Sequence, residues 1–107
     1  MTLPEPRRGD VWLADLDKRR PVVVLTRDPL GRYLHSVIAG PVTSTVRGVS
    51  TEVEVGPDDG LRVASVVNLD NLLLVERSRL QRKVGKVRAA TLTRICDAVT
   101  TAIGCDA

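Results

Sequence analysis

Four consecutive aliphatic residues, Val22-Val23-Val24-Leu25, constrain this chain more than any other stretch. The run is too short for a core helix and has no polar residue to turn toward water, so it reads as a strand covered on both faces. Pro21 can begin such a strand but cannot donate a ladder hydrogen bond inside it. Thr26-Arg27-Asp28-Pro29 closes it. Arg19 and Arg20 come directly before Pro21, which predicts Arg20 at the rim of a sheet, held firmly yet reachable. Taken alone, the two arginines also read as ordinary solvated charges ahead of a core strand.

The rest of the chain fits around that strand. Val11-Trp12-Leu13-Ala14-Asp15-Leu16 reads as a first strand, and Asp17-Lys18-Arg19 joins it to the next so tightly that the two form a hairpin. A third strand runs over residues 32–40, with His35 on the face of Tyr33, Val37 and Ala39, and Pro41 as its end. Residues 49–55 alternate with period two, placing Val49, Thr51, Val53 and Val55 inside and Ser50, Glu52 and Glu54 outside. Gly56-Pro57-Asp58-Asp59-Gly60 is a turn. Two more strands follow at 63–69 and 72–75. In the tail, Leu92, Ile95, Cys96, Val99, Ala102 and Ile103 form one stripe at the helical period, and Gly104 supplies a stop. About six short strands and one helix over 89–104 predict a mainly β chain, a small barrel or sandwich in a single domain spanning residues 1–107. Residues 1–8, with two prolines and Arg7-Arg8, are expected as a flexible arm.

Composition narrows the partners. The net charge is +3, and arginine dominates the 16 basic residues. Arginine binds phosphate in a planar, bidentate way. Residues 76–88 carry Arg77, Arg79, Arg82, Lys83, Lys86 and Arg88 against the single acid Glu76, which reads either as a phosphate track or as a solvated face. No apolar run is long enough to span a bilayer, and the N-terminus has no secretory h-region, so no membrane association and a cytoplasmic location are expected. Cys96 and Cys105 on one helix would stand roughly 13 Å apart, too far for a disulfide. One histidine and no Cys-x-x-Cys argue against a zinc site.

Hydrolytic chemistries fall away in turn. A serine or cysteine nucleophile would need His35 as base, and that residue is expected mid-strand with no Gly-x-Ser-x-Gly elbow. No phosphate-loop motif is present. Glu52 and Glu54 read as solubilising charges rather than a metal pair. What remains is Arg20 before a strand, with Thr43 and Ser44 just after the next one. Arginine is a fixed cation with five donors, and threonine both donates and accepts. Such a set suits a phosphodiester whose charge grows in the transition state. RNA brings its own nucleophile, the 2′-hydroxyl, so the protein need only position and stabilise.

At this point the chain resembles the MazF/PemK family of toxin endoribonucleases. The resemblance rests on Arg8-Gly9-Asp10-Val11-Trp12, Arg20-Pro21-Val22-Val23-Val24-Leu25-Thr26, Val42-Thr43-Ser44-Thr45, Ser65-Val66-Val67-Asn68-Leu69-Asp70-Asn71 and the basic segment before the final helix. It implies an SH3-like barrel of the MazF/CcdB plug-barrel type with a C-terminal helix, acting as a homodimer. It further implies metal-independent cleavage of single-stranded RNA to 2′,3′-cyclic phosphate and 5′-hydroxyl ends, with no cofactor, and inhibition by a cognate MazE-like antitoxin. Arg20 and Thr43 take the catalytic positions. Arg8, Arg19, Ser44, Asp70 and Asn71 are the expected RNA contacts. The loop Asp17-Lys18-Arg19 is shorter than in many members and lacks their supporting glutamate. Two alternatives stand beside this reading: a non-catalytic gyrase poison of the CcdB type, which shares the barrel, and a barrel that binds RNA without cutting it.

Overall fold

Seven strands and one helix make up the computed structural model, which describes residues 3–28, 30 and 33–104. They are β1 (Asp10–Asp15), β2 (Arg19–Val24), β3 (Ser36–Thr43), β4 (Glu52–Val55), β5 (Ser65–Asn68), β6 (Leu73–Glu76), β7 (Leu80–Lys86) and α1 (Ala89–Ile103). The mainly β expectation with a C-terminal helix is met. The sheet runs β4-β5-β3-β2-β1-β7, with β6 also paired to β3. The seventh strand lies in the basic segment, where the charges of Arg82, Lys83 and Lys86 leave no clean alternation to read.

β2 is the shared wall of two cores. Val23 and Val11 face a cluster with Val53, Val55, Val67, Leu69 and Ile95 of α1. Val22 and Val24 face a second cluster with Ala14, Val37, Ala39 and Val75. All three valines of β2 are fully buried. The strand covered on both faces is therefore present, although it begins at Arg19 and not at Pro21.

β3 organises the groove end of the molecule. One of its edges pairs with β2. The other pairs first with β6, through residues 36–39, and then with β5, at Val42 and Thr43. The turn Leu69–Asn71 is the step between β5 and β6. Pro41, expected to end the strand, lies inside it. Ile38 directs both its N–H and its carbonyl toward the β2 side, to Thr26 Oγ1 and Leu25 N. Alternation then turns Pro41 the other way, into the step between β5 and β6, where a residue without an N–H breaks no ladder.

Other expectations shift in detail. Residues 3–8 make specific contacts: Pro6 is buried, Arg7 N donates to Asp10 Oδ2 at 2.8 Å, and Arg77 Nε donates to the Pro4 carbonyl at 2.8 Å. Met1 and Thr2 of that arm lie outside the described residues. His35 stands before β3, exposed, with Nε2 3.7 Å from a Glu76 oxygen. Cys96 is a half-buried free thiol and accepts a hydrogen bond from Arg8 Nη2 at 2.9 Å; Cys105 lies outside the described residues. α1 ends at Gly104, whose φ of 76° is the left-handed conformation glycine tolerates best. No helix among the described residues is long and apolar enough to cross a membrane.

Candidate active site

Register brings the two expected catalytic residues together. β2 and β3 pair as Val24↔Ala39, Val23↔Gly40 and Val22↔Pro41. The same register carried two residues further sets Arg20 opposite Thr43, on the face shared by Val22 and Pro41. The ladder stops short of that point because Val42 would next meet Pro21, which has no N–H to donate. The strand ends part there, and a groove of about 300 Å³ opens. Its walls are Arg20 of β2, Pro41, Val42 and Thr43 of β3, Thr45 and Arg47 of the following loop, Asn68 at the end of β5 and Asn71 of the β5-to-β6 step.

Arg20 is half-exposed, with Nε and Nη2 each 3.3 Å from the two carboxylate oxygens of Asp17. That hydrogen bond, and next the Lys18 backbone N–H, hold the Asp17 carboxyl below the usual carboxylate range. The short hairpin loop thus supplies a carboxylate of its own to the arginine. Thr43 closes β3 rather than following it. Its Oγ1 accepts from Thr45 N at 3.1 Å, so its hydroxyl proton is left to donate into the groove.

The loop after β3 is pinned by one acid. Glu52, expected to be a solubilising surface charge, has a side chain only 3% exposed. Its Oε1 accepts from the backbone N–H groups of Arg47 (3.0 Å), Gly48 (2.8 Å) and Val49 (3.4 Å), and its Oε2 from Arg47 Nε (3.4 Å). Burial alone would raise this carboxyl, but those donors outweigh it and hold it below its ordinary value. On the far wall, Asn68 Oδ1 accepts from Asp70 N at 3.0 Å, and Asp70 accepts a short hydrogen bond from Thr51 Oγ1.

The other expected RNA contacts separate. Asn71 lines the groove and Asp70 stands beside it, its Oδ2 3.8 Å from Arg47 Nη2. Arg19, next to Arg20, is exposed but turned to the opposite face of β2, and Ser44 is exposed outside the groove lining. Arg8 is elsewhere: it lies under α1 against Cys96, in a cleft lined also by Leu25, Ile38, Ile95 and Ile103. Most of the basic segment is structural. Arg77 is buried and donates to the Pro4 and Leu34 carbonyls, Arg79 donates to the Asp15 carbonyl, Lys83 pairs with Asp10, and Arg88 with Asp58 and Asp59. Sequence reasoning missed Arg47, Thr45 and Asn68. Arg47 sits among three hydroxyl residues and a glycine, which signals a loop but not what holds it. Among the described residues no cluster of His, Cys, Asp and Glu could hold a metal ion.

Comparison with known proteins follows this geometry. Residues 7–103 match the family model described as PemK-like, MazF-like toxin of type II toxin-antitoxin system. Endoribonuclease MazF3 of Mycobacterium tuberculosis is 38% identical over 96 residues, covering 90% of this chain and 93% of that protein. The structure of Mycobacterium tuberculosis toxin MazF-mt6 superposes with a TM-score of 0.85 at 37% identity, covering 89% of this chain and 96% of the other. A mycobacterial endoribonuclease in complex with its cognate antitoxin matches equally well, with a TM-score of 0.85 at 33% identity over 92% of this chain and 95% of that one.

Proposed function

The chain belongs to the PemK-like, MazF-like toxins of type II toxin-antitoxin systems and is an endoribonuclease of that kind, and from this premise we propose that Arg20 and Thr43 act together on one phosphodiester of single-stranded RNA. The observation that carries the proposal is their convergence: two side chains from different strands meet in one groove by register. In the reaction the 2′-oxygen attacks phosphorus and the bond to the 5′-oxygen breaks, leaving a 2′,3′-cyclic phosphate and a 5′-hydroxyl. The proton leaving the 2′-hydroxyl passes to solvent water, and the 5′-oxygen takes its proton from the Arg20 guanidinium, which water then reprotonates. Arg20 holds the non-bridging oxygens and stabilises the charge that grows on them. It is also placed to donate to the departing 5′-oxygen, and is far too weak a base to take the first proton. Thr43 adds a second donor. Asp17, held ionised by Arg20, is a poor base in turn; it orients the guanidinium until the phosphate takes its place. With the nucleophile carried by RNA and the positive charge by arginine, the step needs no metal.

The homologues are named as endoribonucleases, which disfavours the gyrase-poison reading. We assign two partners by the same membership: a MazE-like antitoxin and a second copy of the chain. The exposed apolar pair Ile38 and Leu74, directly opposite each other on β3 and β6, together with Ile103 of α1, is the face we assign to the homodimer. Cytoplasmic residence fits an RNA substrate and an intracellular antitoxin. The test is purified protein with cellular RNA in excess EDTA, followed by mapping of 5′-hydroxyl ends. Discrete cleavage at a short recurring sequence is expected. Intact RNA bound with steep salt dependence would instead make the chain an RNA-binding barrel, and a requirement for Mg²⁺ would overturn the mechanism.

A further inference from the structure

We propose that Arg47 is a second phosphate-binding residue of the groove, holding a non-reacting phosphate of the same RNA strand, and that Glu52 is the residue that positions it. The assignment rests on the nuclease reading above, since it takes RNA as the occupant. Arg47 and Arg20 line the same groove from different elements. Arg47 belongs to a loop outside the sheet, between β3 and β4, and such a side chain would ordinarily sweep a wide volume.

Here it does not, because Glu52 holds both its backbone and its Nε. A buried carboxylate must find donors, and three consecutive N–H groups satisfy that need. The fourth contact, to Nε, orders the guanidinium itself. It occupies only the inner edge of the fork. Nη1 makes no hydrogen bond among the described residues, and Nη2 has only the 3.8 Å approach of Asp70. The outer pair of nitrogens is therefore left for a planar, two-point contact with phosphate oxygens. Half of the Arg47 side chain remains exposed, so the contact requires no opening of the fold.

The experiment separates binding from chemistry. The full-length protein is titrated with mixed-sequence, 2′-fluoro single-stranded RNA, which carries the phosphates but no 2′-hydroxyl nucleophile, across a range of KCl. Arg47→Ala is expected to weaken binding and to lower the slope of log K against log salt by about 0.7, the value of one phosphate contact to a single strand. Arg47→Lys should keep most of the slope. On cleavable RNA, Arg47→Ala should raise KM while kcat stays within about threefold, since it removes uniform binding. Glu52→Gln should raise KM in the same direction, and the double variant should be no worse than Arg47→Ala alone, because one residue acts through the other. An unchanged salt slope in Arg47→Ala overturns the assignment. So does a fall in kcat comparable with that of Arg20→Ala, which would place Arg47 in the chemistry. If the parent binds the 2′-fluoro RNA yet cuts no RNA, the nuclease reading fails while the slope still decides the role of Arg47.

Discussion

Arg20→Ala is the perturbation that separates catalysis from fold most cleanly. The local structure sets its cost on stability. The Arg20 side chain is 37% exposed and its partner Asp17 is 73% exposed, so Asp17 stays in water once the guanidinium is gone. No buried charge is orphaned. The β1–β2 pairing at Ala14 and Arg20 is made by the backbone and survives the truncation, and Val22 to Val24 keep their burial. The melting temperature should therefore stay close to that of the parent. The chemical cost is of another order. Arg20 supplies the positive charge at the groove mouth, and losing one preorganised donor to a developing oxyanion costs about 10²–10³ in kcat, or roughly 2.7–4 kcal/mol. Arg20→Lys keeps the charge but loses the fork and should fall between. The assay is single-turnover cleavage of an oligonucleotide carrying the mapped cut sequence, in EDTA, with thermal melts on the same preparations. An Arg20→Ala protein that melts like the parent and cleaves within about threefold of its rate would refute the assignment.

Thr43→Val preserves the shape of the end of β3 and removes only the hydroxyl; kcat should fall by about 10²-fold, and a parental rate would confine Thr43 to holding Thr45 N. Gly85→Ala tests the packing of β7 on the turn at 57–60, away from the groove: a Cβ there would lie 2.3 Å from the Asp59 carbonyl and 2.7 Å from Gly60 Cα, both backbone atoms, so unfolding in urea should show a loss of about 1–3 kcal/mol. Activity per folded molecule should be unchanged, and an undiminished urea midpoint would contradict the contact. Glu52 makes stability depend on pH with a definite sign. Its folded-state carboxyl is held below the ordinary value, so its contribution is present above that ordinary value and is lost as pH falls through the depressed one; Glu52→Gln should flatten the acid limb of the urea midpoint against pH, and parallel curves would sink the claim. Ile38→Asp puts a charge on the exposed β3–β6 face and should give a monomer by sedimentation, whereas an intact dimer would move the interface elsewhere.

The convergence of Arg20 and Thr43 on one groove was legible because Pro21 announces it. Pro21 fixes where the β2–β3 ladder fails, and Arg20 stands just beyond it; β3 was misplaced at both ends, running over 36–43 rather than 32–40, and at its later end because Pro41 reads as a stop unless the step between β5 and β6 is known. The helix was legible for a different reason: its stripe has one period and one stop signal. β7 was not, because a strand whose charged side chains serve as ion-pair partners, such as Lys83 for Asp10, has no clean alternation. Glu52 was misread by the rule that outward positions of a period-two strand face water. That rule concerns the strand, and the preceding loop folds back over this residue. Arg8 was read from its neighbours in sequence, while its place is set by α1, far along the chain. In each failure the deciding partner lies in another element, which no local pattern contains.

The hairpin between β1 and β2 carries a consequence beyond its length. Residues of β2 alternate between two compartments: Arg20 shares its side with Val22 and the groove, whereas Arg19 shares its side with Val23 and the helix-covered core. Which arginine faces the groove is thus a matter of parity, counted from the turn. Inserting or deleting one residue among 16–18 would, if the pairing followed the turn, exchange the two arginines and send Val22 and Val23 each into the other's cavity. Two residues at a time would restore the count. The loop is free to vary in even steps of length, and its odd steps are closed by the same valines that make the strand.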